Sequence, residues 1–273
     1  MGDKAKHKAD LARLMEDSLK SGQHKEMWSY ISSNSNLPGP RGNLELAAAF
    51  AEVVEELCEE PRDALWQLLK DMTSESAQDA PVNSPEELIP FCGALAVGAI
   101  GSLRERLSEQ ALAVLRRLAS DERWRMSEGV AMGLQRMLVR RPVDTLRHLE
   151  QWAAGDDWLE LRAVAAAVAE PSVLTIEGTA AVALALHRDI LHRLARAEER
   201  KSEGFRVLRK ALGYSLCVVV AAMPQEGFAL IGELIAWGDP DIRWVVRQNL
   251  KKNRLRRRFP DAVENSERLL AER

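Results

Sequence analysis

Apolar residues recur along this chain at the spacing of one helix face after another. Ile242, Val245, Val246, Asn249 and Leu250 fall at i, i+3, i+4, i+7 and i+8, which gives one buried face. The same periodicity predicts a charged helix over 3–20, with Leu11, Leu14, Met15 and Leu19 on one side, and a short one carrying Met27, Trp28 and Ile31. Further helices are predicted at 44–57, 61–72, 107–119, 122–140, 142–154, 158–169, 179–199, 205–222, 226–237 and 242–258, with a last one after Pro260. Ser84-Pro85-Glu86-Glu87 reads as a capping box with proline at the first helical position, opening a helix that Pro90 should bend. Gly93, Gly98 and Gly101 inside it would let another helix approach closely. The stretch 32–43, with Pro and Gly, and the polar stretch 73–83 read as loops, the first being the best internal hinge. No segment reads as a strand.

The helices meet at a recurring junction. Gly238 stops one helix, and Asp239-Pro240-Asp241 starts the next, because the carboxylate accepts from orphan N–H groups and the ring is preset to helical φ. Arg243 follows the first apolar residue. The same grammar recurs at Asp121-Glu122-Arg123-Trp124-Arg125, at Asp157-Trp158-Leu159-Glu160-Leu161-Arg162 after Gly155, and at Gly204-Phe205-Arg206 without the aspartate. Arg125, Arg162, Arg206 and Arg243 are therefore spaced by 37, 44 and 37 residues.

A two-helix repeat of about 40 residues is the period of the HEAT/armadillo class. One pair cannot bury its own apolar face, so neighbours stack and share a core. The chain resembles HEAT-repeat proteins at DERWRMSEGVAMGL, DDWLELRAVAAAV and DPDIRWVVRQNLKKN, over 105–258. The expectation is an all-α, right-handed α-solenoid of about six or seven HEAT-like helix pairs, forming one domain over 1–273. Residues 1–31 would cap its N-terminus, 44–258 would hold the repeats and 260–273 the final helix. An Asp/Arg pair at each junction would form a ladder of hydrogen bonds between successive turns.

Composition changes this picture in two places. The net charge is −3, yet the eight basic residues and no acid between Arg243 and Arg258 leave −11 for the rest. Cys58, Cys92 and Cys217 are odd in number, far apart and in apolar surroundings, which reads as buried reduced thiols and a cytoplasmic home. No 18-residue apolar run is read in the chain. The longest small-apolar stretch, Gly93–Gly101, is too short to span a bilayer, so no membrane partner is expected.

Templates for chemistry fail. His187 and His192 are five apart, not at the four-residue spacing that aligns two zinc ligands on a helix. The glycines of 93–101 lack the Lys-Ser/Thr of a phosphate loop. No cofactor or metal is expected. Two features remain. Trp124, Trp152, Trp158, Trp237 and Trp244 sit near the junctions, where aromatics would seal helix pairs. Alternatively Trp124 and Trp158, with Asp156, Asp157 and Arg162, would form a cradle for a cationic base. That alternative follows from similarity in architecture to the HEAT-like bacterial alkylpurine DNA glycosylases, in which Trp and Asp stabilise an alkylated base. Their catalytic pattern does not map onto this sequence residue by residue. The second feature is a cationic stripe of Arg243, Arg247, Lys251, Arg254 and Arg258 along the last long helix, suited to phosphate neutralisation or to complementing a helix C-terminus. The reading is a non-enzymatic HEAT-repeat binding scaffold that presents a concave surface, made by the second helices of each pair, to a protein partner, with a DNA-binding protein of the alkylbase-glycosylase-like group, active or degenerate, as the alternative.

Overall fold

A computed structural model describes residues 3–58 and 63–272, and every regular element in them is helical. The chain divides into two compact units, Met1–Arg140 and Arg141–Arg273, where the sequence pattern suggests one domain.

Unit 1 contains α1 (Asp3–Ser21), α2 (Lys25–Ser33), α3 (Leu44–Leu57), α4 (Asp63–Met72), α5 (Leu88–Leu103), α6 (Glu105–Ala119) and α7 (Trp124–Arg140). The expected start of α4 at Pro61 lies outside the described residues. Helices α1, α3, α5 and α7 pack in succession as one row, and α2, α4 and α6 pack onto it. All residues of α5 from Leu88 to Ser102 are buried, as a helix apolar on every side must be. The segment Pro85–Leu103 has mean hydropathy 1.4 and is by length and composition sufficient to cross a membrane. The count of the short Gly93–Gly101 run alone missed this. In the fold, 89% of that window is buried inside the protein. A Cβ on Gly98 would lie 2.2 Å from the Gly133 carbonyl oxygen of α7, and one on Gly101 2.4 Å from the Ala111 Cβ of α6. The glycines thus let helix backbones meet, as their spacing suggested.

Unit 2 contains α8 (Pro142–Ala153), α9 (Trp158–Val168), α10 (Pro171–Leu174), α11 (Thr179–Arg196), α12 (Glu203–Ala222), α13 (Pro224–Ala236), α14 (Pro240–Leu250), α15 (Asn253–Arg256) and α16 (Pro260–Ala271). Helices α9, α12 and α14 form one row. The start of α9 meets the start of α12, where Trp158 packs on Gly204 and edge-on to Phe205, ring centroids 5.7 Å apart. Trp244 and Gln248 of α14 pack on Gly213 of α12. Fully buried Asn249 fixes that second contact: its Oδ1 accepts from Cys217 N at 2.7 Å, while its Nδ2 donates to the Leu212 and Val245 carbonyls. The other helices pack against this row, with α11 joined to α13 by Arg188–Glu233 at 2.7 Å and by His192 stacked on Trp237 at 3.9 Å.

Side-chain caps open each helix of the unit 2 row. Asp239 accepts from Asp241 N and Ile242 N, Asp157 from Leu159 N and Glu160 N, and Ser202 from Phe205 N where the degraded junction lacks its aspartate. Gly238 stops α13 at φ 72°, in the left-handed region glycine favours. Ser84 departs from expectation: its hydroxyl does not cap, and the chain makes a short 3-10 turn over Pro85–Glu87 before α5.

The long basic helix expected over 242–258 is not formed. Helix α14 ends at Leu250, and Lys252 is extended, with ψ 133°, ahead of α15. Leu250 and Leu255 are both buried. In an unbroken helix, five residues turn the chain about 140° past a full revolution, which would carry Leu255 off the buried face. The break brings it back.

The glycine contact gives a test. Replacing Gly98 with Ala should destabilise the chain by about 2 kcal/mol or more in chemical denaturation, because its Cβ meets backbone that has no rotamer to yield. Gly232 of α13 has nothing within 4 Å of an added Cβ, so Gly232→Ala should be neutral or stabilise by up to about 1 kcal/mol.

Candidate functional site

Arg125, Arg206 and Arg243 do not pair with junction aspartates as a ladder would require. Arg123 and Arg125 are buried in unit 1 and tie down its two polar loops. Arg123 grips Asp121 and donates to the carbonyls of Glu75, Ser76 and Ala80. Arg125 pairs with fully buried Glu87 at 2.8 Å and donates to Gly39 O and Asn83 Oδ1. The stretch 32–43, read as a hinge, is therefore anchored on one side by a buried ion pair. Arg206 pairs loosely with Glu203 of its own helix at 3.8 Å, and Arg243 reaches the Leu270 carbonyl of α16 at 3.4 Å. A charged cluster links α14 to the segment before α12 and to α12 itself. Arg200 holds both Asp239 (2.7 Å) and Asp241 (3.0 Å), and Arg209 also pairs with Asp241. Sequence reasoning missed Arg200 and Arg209 because they stand off the repeating motif.

The expected aromatic cradle is only partly assembled. Trp124 belongs to unit 1, where it is 47% exposed with the Arg125 guanidinium 4.3 Å from its ring. Asp156 and Trp158 belong to unit 2 and line a cleft of about 1290 Å³ against α11, with Asp189, His192, Arg193 and Arg196. Asp156 is 96% exposed and paired with Arg193 at 3.0 Å. Asp157 spends its carboxylate capping α9, and Arg162 is half-buried on that helix. The volume exceeds the roughly 300–1,000 Å³ of small-molecule sites.

The cationic residues regroup into a different surface. Helices α12 and α14 run side by side in the same direction, touching along Gly213 and Trp244. One residue on from the contact stripe of α12, and one residue back on α14, each turns about 100°, and both turns lead to the same exposed side. Arg206, Lys210 and Tyr214 of α12 thereby fall on the same side as Arg247 and Lys251 of α14, whereas Arg243 is half-buried and turned to the Leu270 carbonyl of α16. Lys210, Arg247 and Lys251 are exposed and have no partner among the described residues. Lys252 lies 5.1 Å from the Tyr214 ring centroid, and Tyr214 is 59% exposed. Arg254 and Arg258, expected on the same stripe, leave it at the helix break: Arg254 is half-buried near the Cys217 thiol, and Arg258 lies 5.2 Å from the Phe259 ring.

The three cysteines are buried and free, and burial raises the pKa of each thiol. His187 is fully buried. Its Nδ1 faces the Ala183 carbonyl at 2.9 Å, so that nitrogen carries the proton, and its Nε2 accepts from the Ser215 hydroxyl at 2.9 Å. No protein family, curated protein or solved structure matches the chain.

Burial pushes the His187 pKa down from 6.5 to about 4. Between those values the unfolded chain binds a proton that the folded chain refuses. The contribution is thus complete above about pH 6.5 and is lost as pH falls towards 4. In denaturation across that window, the wild type should lose up to about 3 kcal/mol more stability than His187→Gln. Parallel pH profiles would contradict this.

Proposed function

We propose that the protein is a non-enzymatic binding scaffold of the HEAT-like α-solenoid class, and that the outward face of α12 and α14 takes an extended anionic partner. The observation that carries this reading is the set of exposed, unpaired cations Lys210, Arg247 and Lys251 on one face. Elsewhere in unit 2, Arg188, Arg193, Arg200 and Arg209 are bonded to carboxylates. Uncompensated cations in a chain of net charge −3 concentrate field where a polyanion would dock. The repeat class is supported by α9, α12 and α14 packing in succession, each opened by a capping side chain, at the roughly 40-residue interval of such arrays.

A second reading, an alkylbase glycosylase-like enzyme, is favoured by one observation: Asp156 and Trp158 line the same cleft. It is weakened by the Asp156–Arg193 pair and by the use of Asp157 as a cap.

Fluorescence anisotropy of the full chain with heparin or duplex DNA tests both. Binding should weaken roughly ten- to fifty-fold between ~50 and ~200 mM salt if about three phosphates or sulfates are neutralised. A triple change of Lys210, Arg247 and Lys251 to Gln should flatten that dependence. No binding at low salt removes the scaffold reading in this form. The same samples should release no base from methylated DNA; release that Asp156→Asn abolishes in a folded chain would put the second reading in its place.

A further inference from the structure

We infer that the anionic partner of this face is single-stranded nucleic acid, with an unpaired base stacked on Tyr214. The inference rests on the anion-binding reading above and narrows it. In the sequence, the basic stretch 243–258 lacks an exposed aromatic other than Trp244, which counts against a single strand. The fold changes that balance. Trp244 is half-buried, packed on Gly213 with the Arg209 guanidinium 4.6 Å from its ring, and is committed to the α12–α14 contact. Tyr214, 30 residues upstream of it in sequence, arrives on the same face from α12. There it is 59% exposed, beyond Lys210 on its own helix and beside Lys252.

The geometry favours one class of polyanion. Arg206 and Lys210 ahead of Tyr214 on α12, and Arg247 and Lys251 on α14, make two short cationic rows about 8–10 Å apart, able to follow a backbone laid along the helix axes. An acidic protein or a sulfated polysaccharide would use the cations and leave Tyr214 idle. A duplex keeps its base faces stacked inside and offers only edges in its grooves. A single strand has free ring faces, and stacking on an aromatic side chain is worth about 1–3 kcal/mol per base whatever the sequence. The Lys252 ammonium lies over the tyrosine ring; a base stacking there would displace it towards the adjacent phosphate. Two acids share the neighbourhood without cancelling the rows: Glu203 pairs loosely with Arg206, and Asp241 is held by Arg200 and Arg209.

The test uses the full chain with labelled oligothymidylate of about twenty nucleotides, a duplex of equal length, and polyglutamate, at ~50 and ~200 mM salt. The single strand should bind more tightly than either competitor. Tyr214→Ala should weaken it roughly five- to hundred-fold without changing the salt dependence, while Tyr214→Phe should bind as wild type. Tyr214 is exposed, and a thermal melt of each variant verifies folding. Equal affinity for all three polymers, or a folded Tyr214→Ala that binds oligothymidylate as wild type, overturns this inference and leaves the anion-binding face standing. Failure of all three to bind at low salt overturns both.

Discussion

The exposed face of unit 2 depends on one buried amide. Asn249 places two hydrogen bonds between α12 and α14, and a third on the Val245 carbonyl of its own helix, in a region with no water-facing alternative. Each is worth about 1 kcal/mol when made, and leaving a buried partner unpaired costs about 1–3 kcal/mol. An apolar side chain of similar size would fill the space but would leave Cys217 N–H and Leu212 C=O without the partner they have. The amide therefore specifies register as well as adhesion. It fixes which residue of α12 lies beside which residue of α14, and the neighbours of Tyr214 follow from that.

Unit 1 solves a related problem by other means. Its row crosses at Gly98 and Gly133, where backbone meets backbone and no side chain intervenes. Its loops are held by Arg123 and Arg125, whose guanidiniums collect carbonyls that loops would otherwise expose. The burial of Arg125 and Glu87 together is tolerable because each supplies the other's charge and Gly39 and Asn83 bond the same groups, while Glu87 Oε1 and Arg125 Nε stay unpaired. Unit 2 puts its cations outside instead. The difference bears on function, since an arginine already holding three oxygens has little left to offer a partner.

Much of the fold was legible in the sequence. Helix existence came from apolar spacing, and the starts at Asp157 and Asp239 came from capping chemistry, because both signals are local. The break after Leu250 was not legible. Eight basic residues with no Pro or Gly look like a continuing helix, and only the need to bury Leu255 ends it. Pro171–Leu174 was missed for lack of length. At the site, Arg247 and Lys251 were identified by spacing along one helix. Lys210 and Tyr214 were not, since their relevance arises from a lateral pairing of helices that periodicity within a single segment does not encode. The aromatic cradle drew residues from similar junctions, but Trp124 and Trp158 belong to different units, and Asp157 had a capping task.

The most direct measurement of the central claim is of the Asn249 side chain itself. In protein labelled with 15N at the asparagine amides, the Asn249 Nδ2 protons should give two resolved resonances with cross-peaks to α12 protons near Leu212, and both should persist after transfer to deuterated water. A pair that exchanges as quickly as the exposed Asn265 amide would mean that α12 and α14 are not clamped, and the shared face built on them would not exist.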